Sequence, residues 1–445
     1  MNKKLQIDPS IFKPYDIRGI VPDQITADTA EQVGRAFAAL LKPKCVVVGY
    51  DARLTSKEFK QRVIEGLTKS GVDVIDIGQA STDAFYYACA SEDLPGLMVT
   101  ASHNPKEYNG FKMIRRVPDP LMSKDIQPWV TKTYTDAQQS GKVVQKDVID
   151  EFLDYLLSIV PPSNLKPLKV VVDTSNGAQG PIWERLIPRL PITVKPLFFE
   201  PNGNFPNHVN DIVQLPAQEA LRKAVIAEKA DLGLIFDPDG DRCLAVDNRG
   251  ETVPGDFLTA LLAVSMLKRQ PGSVIVYDIK SSDAVPDMVA AAGGKPYAWK
   301  SGHAFIKPKM AQFDAIFGGE LSGHYFFKDF WFLDCGLLSG LIVMEYISGL
   351  SGELGDIVKD LQKRYFISGE INSEVADVSS VLERVKAKYR DGELNELDGV
   401  AIRYPDWHFV VRPSANEPLL RMTLEANSQK LMEQKRDELL KLIRN

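Results

Sequence analysis

Three aspartates spaced two apart, Asp237, Asp239 and Asp241, lie in the segment DPDGDR, directly after the apolar run LGLIF of residues 232–236. Proline and glycine there favour a tight turn in which the carboxylates converge, and converging hard oxygen ligands suit Mg²⁺ or Ca²⁺. An EF-hand is excluded, because Arg242 and Asn248 stand where that loop requires glycine and glutamate. Three carboxylates with an open position suit a Mg²⁺ that also touches a phosphate. The plainer alternative is a solvated acidic turn capped by Arg242, in which converging carboxylates would repel one another.

Three further segments carry chemistry-bearing side chains. Ser102 lies in TASHNP after the strand-like LMV, where a serine exposed at a strand end can carry a nucleophilic or phosphoryl-accepting oxygen. His103 is its immediate neighbour, so the two side chains need not face each other and no Ser-His-Asp triad is implied. The same residues could form an ordinary Asn-Pro turn. In GGELSGH, Glu320, Ser322 and His324 offer a carboxylate, a hydroxyl and an imidazole, a set suited to neighbouring hydroxyls of a sugar. The glycines could equally serve only a turn. Arg412, Ser414 and Asn416 in RPSANEP, with Arg421 nearby, resemble an anion clamp, or else a surface loop paired with Glu417. His103, His303 and His324 all lie in Ser/Gly-rich loops. Lys300 and Lys307 flank His303, and Lys280 follows a strand-like run; these lysines read as ligand-facing or solvated rather than buried.

The elements that must position these residues alternate in the manner of α/β folding. Three strand-to-loop segments, VVVGYDAR, VVVDTSNGA and VIVYDIKSS, are each followed further along the chain by a second, LMVTASHNP, LGLIFDPDGDR and AIFGGELSGH. Three α/β units in series account for this weak repeat, with ligands expected outside the carboxyl ends of strands. A helix is expected after a Thr29–Gln32 capping box, burying Val33, Phe37, Leu40 and Leu41. A shorter final unit ends in an amphipathic helix over residues 431–443.

The chain of 445 residues is long enough for about three domains, and it carries 53 basic against 59 acidic residues. That balance offers no global attraction for nucleic acid or an acidic membrane, so an anionic ligand needs a local site. Four scattered cysteines, no apolar leader and no long apolar stretch suit a soluble protein of the cytoplasm. G-x-G-x-x-G, GxxxxGK[ST] and HExxH are all missing, which removes the usual support for dinucleotide-binding, nucleotide-driven kinase and zinc-protease readings.

With these residues in view, the chain resembles the α-D-phosphohexomutase superfamily, and within it the bacterial phosphomannomutase/phosphoglucomutase branch. FKPYDIRG (12–19), TASHNP, NGFK (109–112), DPDGDR, SGHAFIK (301–307), GELSGH and RPSANEP occur in the matching order nearly end to end. The resemblance implies four domains around a central active-site cleft, three of them similar mixed α/β domains and the last a smaller α+β domain. The expected boundaries are 1–148, 149–252, 253–366 and 367–445.

The resemblance also implies roles. Ser102 matches the phosphorylated serine, and Asp237, Asp239 and Asp241 match the Mg²⁺ ligands, whose metal also touches Ser102. Arg18, Lys112, Arg242, Lys280 and His303 match cleft residues near the phosphates, with Lys112 and His303 candidates for proton transfer. Glu320, Ser322 and His324 match sugar-reading positions, and Arg412, Ser414, Asn416 and Arg421 match the clamp for the non-reacting phosphate. The implied reaction interconverts mannose or glucose 1- and 6-phosphates through phosphoserine and a hexose 1,6-bisphosphate, in a monomer or dimer. Leu321 stands where amino-sugar mutases tend to have glutamine and offers no hydrogen bond to an amino group, which favours plain hexoses. The alternatives are a phosphoglucosamine mutase or, in another class, a Mg²⁺-dependent sugar-phosphate phosphatase.

Overall fold

A computed structural model describes residues 7–414 and 419–445. The chain forms two compact units, the first of residues 7–252 with His324–Gly349, the second of Val253–Gly323 with Leu350–Asn445.

The first unit contains two sheets built on one plan. In the first, Cys45–Tyr50 runs parallel to both Asp73–Gln79 and Gly96–Val99, and Gly96–Val99 pairs antiparallel with Tyr108–Arg116. In the second, Lys169–Asp173 runs parallel to Thr193–Leu197 and Leu232–Phe236, and Leu232–Phe236 pairs antiparallel with Cys243–Asp247. The second unit repeats the parallel part: Val274–Asp278 lies between Lys295–Trp299 and Phe317–Gly319. The repeat expected from the sequence is therefore a repeat of topology. Its third strand ends each time at a loop that begins with Thr100, Asp237 or Glu320.

Gly96–Val99 and Leu232–Phe236 are buried at every position. Strands covered on both faces read as continuous apolar runs, which is why LMV and LGLIF stand out in the sequence. Helix Ala27–Leu41 buries Val33 and Phe37 as expected, but its cap lies three residues earlier than the Thr29–Gln32 box. Thr26 is the N-cap and accepts the N–H of Thr29, whose hydroxyl accepts the Thr26 N–H in return. The box is thus Thr26 with Thr29, one step of three residues before the Thr29–Gln32 pair.

Residues 324–349 supply the first unit with an antiparallel pair, Tyr325–Phe327 with Leu333–Asp334, and an apolar helix, Gly336–Ser348. Gly336 brings that helix start against the aspartate turn. A Cβ there would lie 2.5 Å from the Gly240 carbonyl oxygen and 2.9 Å from that of Arg242. Gly240 itself adopts φ +78°, which closes the turn.

In the second unit the C-terminal part is an antiparallel sheet in which Leu419–Ala426 pairs with Trp407–Pro413, Phe366–Ile367 and Ile371–Glu374. Val385, Phe409, Leu424, Leu439 and Ile443 share its core, with the last two on helix Gln429–Arg444. This α+β arrangement matches the smaller final domain expected. No helix among the described residues is long and apolar enough to cross a membrane.

Asp283 joins this sheet to the parallel strands of the same unit. Arg403 donates to both of its oxygens at 2.7 Å, and its backbone N–H donates to Glu425 Oε1 at 3.3 Å. Burial, helped by the charges of Asp283 and Asp256, pushes the Glu425 carboxyl up to about 8. A carboxyl raised on folding is carried neutral, so its contribution is complete below the unfolded value near 4.5 and is lost as pH rises through 8. Glu425→Gln should therefore gain stability relative to the wild type as pH rises from 5 to 9, measured as the denaturation midpoint. Parallel pH profiles would contradict the assignment.

Candidate active site

Ser102 sits at the carboxyl end of Gly96–Val99 in the left-handed region, with φ +50°. Non-glycine residues adopt this conformation only when their surroundings hold them there. The Ser102 N–H donates to Thr100 Oγ1 at 2.9 Å. From beneath, Arg53 donates to four carbonyls of the loop: Ser102 and Asn104 at 2.6 Å, Pro105 at 2.7 Å and Tyr108 at 2.9 Å. Arg18 holds the loop from another side, donating to Asn104 Oδ1 at 2.7 Å and the Ala101 carbonyl at 3.2 Å, while Asp16 fixes its guanidinium. The serine is not exposed as expected but 1% accessible, because the aspartate turn and His103 close around it.

Ser102 Oγ donates to Asp237 Oδ2 at 3.3 Å and lies 3.3 Å from His103 Nδ1. The two neighbouring side chains thus do meet. Arg242 Nη2 donates to the same imidazole nitrogen at 2.8 Å, so its lone pair is engaged. Burial first, then the Arg242 charge, holds His103 well below the usual histidine range, hence neutral. No triad forms.

Asp237, Asp239 and Asp241 each present an oxygen within 4.8 Å of the others, and all three are buried. Burial disfavours ionisation of each. For Asp237, burial and then the Asp239 and Asp241 charges win, and its carboxyl is pushed well up. For Asp239 and Asp241 the nearby Lys112 overcomes burial and lowers both. Lys112, on Tyr108–Arg116, donates to Asp239 Oδ2 at 2.7 Å and to Asp241 Oδ2. Thr82 Oγ1 adds a bond to Asp239 Oδ2 at 2.8 Å. Asp239 Oδ1 and Asp241 Oδ1 are buried without a hydrogen-bond partner. Orphaned carboxylate oxygens facing two other carboxylates fit a hard divalent cation. The acidic cluster can hold a metal.

Arg242 ties the turn to its surroundings. Its N–H donates to Asp237 Oδ1 at 3.1 Å and its Nε to His324 Nε2 at 3.3 Å. His324 also lies 3.6 Å from Asp241 Oδ1. It therefore belongs to the first unit with the aspartates, while Glu320 and Ser322 of the same motif belong to the second.

In the second unit Lys280 lies beside Asp278, and the segments that carry Glu320, His303 and Arg412 meet near Ser301 and Gly302. Lys280 Nζ lies 3.4 Å from Asp278 Oδ2, and Ser301 Oγ donates to Asp278 Oδ1 at 2.5 Å. Glu320 accepts from the Gly302 N–H, next to His303 at the start of helix His303–Phe313, and lies 3.5 Å from Ser322 Oγ. Arg412 pairs with Asp398 at 3.6 Å, and Asp398 accepts the Ser301 N–H at 3.1 Å. Ser414 is half-buried at the end of the clamp strand, and Asn416 lies outside the described residues. Lys280 and Lys307 are buried rather than solvated. For Lys280 the reason is visible in its carboxylate partners, Asp278 and Glu370.

Sequence reading missed several residues that hold these sites. Arg53 and Asp51 are visible in VVVGYDAR only as a strand end, and Thr82 and Glu370 lie in no motif. Glu370 bridges Lys280 Nζ at 2.7 Å and Arg421 Nη1 at 2.9 Å. Nothing local marks Arg53, Thr82 or Glu370, since each acts on residues far away in the chain, and Asp51 acts through its neighbour Arg53. Arg53 is buried against the equally buried Asp51 at 3.3 Å, so Arg53→Ala should cost about 3–5 kcal/mol in a denaturation measurement. Arg53→Lys should restore little, because an ammonium cannot fork to four carbonyls. An Arg53→Ala protein as stable as the wild type would refute this support for the serine loop.

Four domain families match in chain order, all described under phosphoglucomutase/phosphomannomutase. Alpha/beta/alpha domain I matches residues 9–139, domain II 150–250, domain III 254–365 and the C-terminal domain 370–442. A phosphomannomutase of Escherichia coli K12 is 37% identical, over 97% of this chain and 98% of its own. A Xanthomonas campestris protein named for phosphohexose mutases is 39% identical, over 97% and 99%. A solved structure of a phosphoglucomutase/phosphomannomutase family protein from Burkholderia thailandensis superposes with a TM-score of 0.90 at 32% identity, covering 98% of each chain. On the four domain matches and these full-length relatives, the chain belongs to the phosphoglucomutase/phosphomannomutase family.

Proposed function

We propose that this chain is an isomerase that interconverts hexose 1-phosphates and hexose 6-phosphates, with mannose and glucose phosphates as its substrates and Ser102 as the phosphoryl carrier. The observation that carries the reading is the Ser102 oxygen 3.3 Å from Asp237, held in left-handed backbone by Thr100 and Arg53 beside three buried carboxylates. A serine used only as a turn residue needs none of that apparatus. The proposed domains are 1–148, 149–252, 253–366 and 367–445, and the proposed setting is the cytoplasm.

In the first half-reaction the bond between the Ser102 oxygen and phosphorus breaks while the free hydroxyl of a hexose phosphate forms a new one. That hydroxyl gives its proton to His303, the candidate that remains because Asp239 and Asp241 hold Lys112 as an ammonium. The departing Ser102 oxygen takes up a proton, and the products are a hexose 1,6-bisphosphate and a free Ser102 hydroxyl. In the second half-reaction the Ser102 oxygen loses its proton and bonds to the phosphorus of the other phosphoryl group. The bond from that phosphorus to the sugar oxygen breaks, and the sugar oxygen takes up a proton as the hydroxyl of the product. Asp237, Asp239 and Asp241, with an oxygen of phosphoserine, would hold Mg²⁺, which when bound supplies positive charge to the transferring group. Lys112 adds a fixed ammonium at the same turn, and Arg242 orients His103, which burial first and then the Arg242 charge keep neutral. Arg18 holds the serine loop in place.

Recognition falls to the second unit. Glu320 and Ser322 offer acceptor and donor groups for sugar hydroxyls, and Lys280, Arg412, Ser414, Asn416 and Arg421 form the clamp for the non-reacting phosphate. Leu321 presents no polar group to an amino substituent, which favours plain hexoses.

Phosphorus NMR with Mg²⁺, mannose 1-phosphate and a trace of hexose 1,6-bisphosphate should show growth of the 6-phosphate signal. Release of inorganic phosphate instead would make the chain a phosphatase. Ser102→Ala should lower turnover by at least about 10³-fold while leaving the denaturation midpoint in place, since it removes the carrier oxygen itself. A Ser102→Ala protein with near-normal rates would refute the phosphoserine route.

A further inference from the structure

Lys280 and Arg421, assigned above to phosphate binding, are already engaged with an anion that belongs to the chain. The two carboxylate oxygens of Glu370 are divided between them, Oε2 at 2.7 Å from Lys280 Nζ and Oε1 at 2.9 Å from Arg421 Nη1. This is how a phosphate presents two oxygens to two cations. Glu370 is also firmly placed. It lies between Phe366–Ile367 and Ile371–Glu374, both paired with Leu419–Ala426, the strand that carries Arg421. Asn372 stands opposite Arg421 in that pairing, and Gly369 at φ +67° makes the turn that delivers the carboxylate. Burial works against the charge on Glu370, yet Lys280, then Arg421, and also Arg412 hold its carboxyl down to about 2.

We propose that Glu370 is an internal competitor for the phosphate clamp: its carboxylate occupies Lys280 and Arg421 in the free protein and yields at least one of them when a phosphate binds. The proposal rests on the reading of Lys280 and Arg421 as phosphate ligands. Its physical basis is that a buried cation needs counter-charge when no ligand is bound: the Lys280 side chain is only 4% exposed and has Glu370 at 2.7 Å beside Asp278 at 3.4 Å, while Arg421 is half-buried. A phosphate dianion outbids a monoanionic carboxylate for two cations, whereas a singly charged anion does not. Phosphate affinity is then a difference between two anion–cation pairings, and the returning carboxylate assists release. An enzyme whose bisphosphate must let go of the clamp and be gripped again at its other end is served by moderate affinity and fast release.

A supporting role for Glu370 predicts the opposite sign. If the carboxylate only aligned Lys280 and Arg421 and stayed in place beside the ligand, its removal would weaken phosphate binding. The experiment is calorimetric titration of the full chain with inorganic phosphate and with mannose 6-phosphate at fixed ionic strength. The proteins compared are the wild type, Glu370→Gln, Glu370→Asp and Arg421→Ala, each first shown to be folded by its denaturation profile. Glu370→Gln should tighten both ligands roughly five- to tenfold or more, the range of a modest coupling. In steady-state assays it should lower KM and also kcat, as release slows. Glu370→Asp keeps the charge but is one methylene too short to span both cations, so it should tighten binding by an intermediate amount. This keeps the test decisive should Glu370→Gln not fold. Unchanged or weaker binding in both Glu370 variants would overturn the proposal. Unchanged binding in Arg421→Ala would overturn the clamp itself, and a weakened Arg421→Ala beside unimproved Glu370 variants would overturn the competitor alone.

Discussion

Three carboxylates buried within 4.8 Å of one another set the terms for the rest of the first unit. Charges of one sign are costly to bury unless opposite charge or hydrogen bonds meet them. Each neighbour of the DPDGDR turn answers that demand. Lys112 reaches it from the strand after the serine loop, and Thr82 donates from the start of helix Thr82–Glu92. Arg242 folds its own backbone N–H onto Asp237. Gly336 lets a helix start pack directly against the backbone carbonyls of the turn, and that helix's Leu337 N–H donates to Asp83. Lys112 brings one positive charge to three carboxyl groups, and Asp239 Oδ1 and Asp241 Oδ1 accept no hydrogen bond. The remaining deficit is what a divalent cation would satisfy, and Ser102 sits at its edge.

Topology makes this assembly possible with short-range chain geometry. Parallel strands covered on both faces leave their carboxyl ends as the place where polar loops emerge. Repeating one strand order three times gives three such loops, and the chain has put a different chemistry on each: a serine, an acidic turn, and a carboxylate with a hydroxyl. The C-terminal antiparallel sheet follows another rule. Its long strands Trp407–Pro413 and Leu419–Ala426 pair Arg412 directly with Arg421, an adjacency of like charges that Asp398 and Glu370 offset.

What could be read from the sequence was local. DPDGDR, TASHNP and GELSGH announce themselves because turn chemistry and functional side chains fall within a few residues, after strands too apolar to be anything but buried. Residues that act across the fold left no such trace. Arg53 gathers four carbonyls some fifty residues away, and Glu370 meets a lysine ninety residues earlier. His324 stands two residues from Ser322, yet it meets Arg242 and Asp241, on a turn some eighty residues earlier. The exposed serine expected at a strand end proved buried, because a loop that must hold an oxygen against three aspartates closes over it. The cap at Thr26 rather than Thr29 has a smaller lesson: two overlapping Thr-headed boxes were written there, and the helix uses the earlier one.

The central claim is that one phosphoryl group travels through the Ser102 oxygen. Its most direct test is to incubate the chain with Mg²⁺ and a hexose 1,6-bisphosphate carrying isotopically labelled phosphate, remove small molecules, and map the label by tandem mass spectrometry. The labelled protein would then be given unlabelled hexose phosphate. The account predicts label on Ser102 alone, followed by its complete transfer to the sugar as bisphosphate and monophosphate. Label on another residue, or label on Ser102 that leaves only as inorganic phosphate, would contradict it.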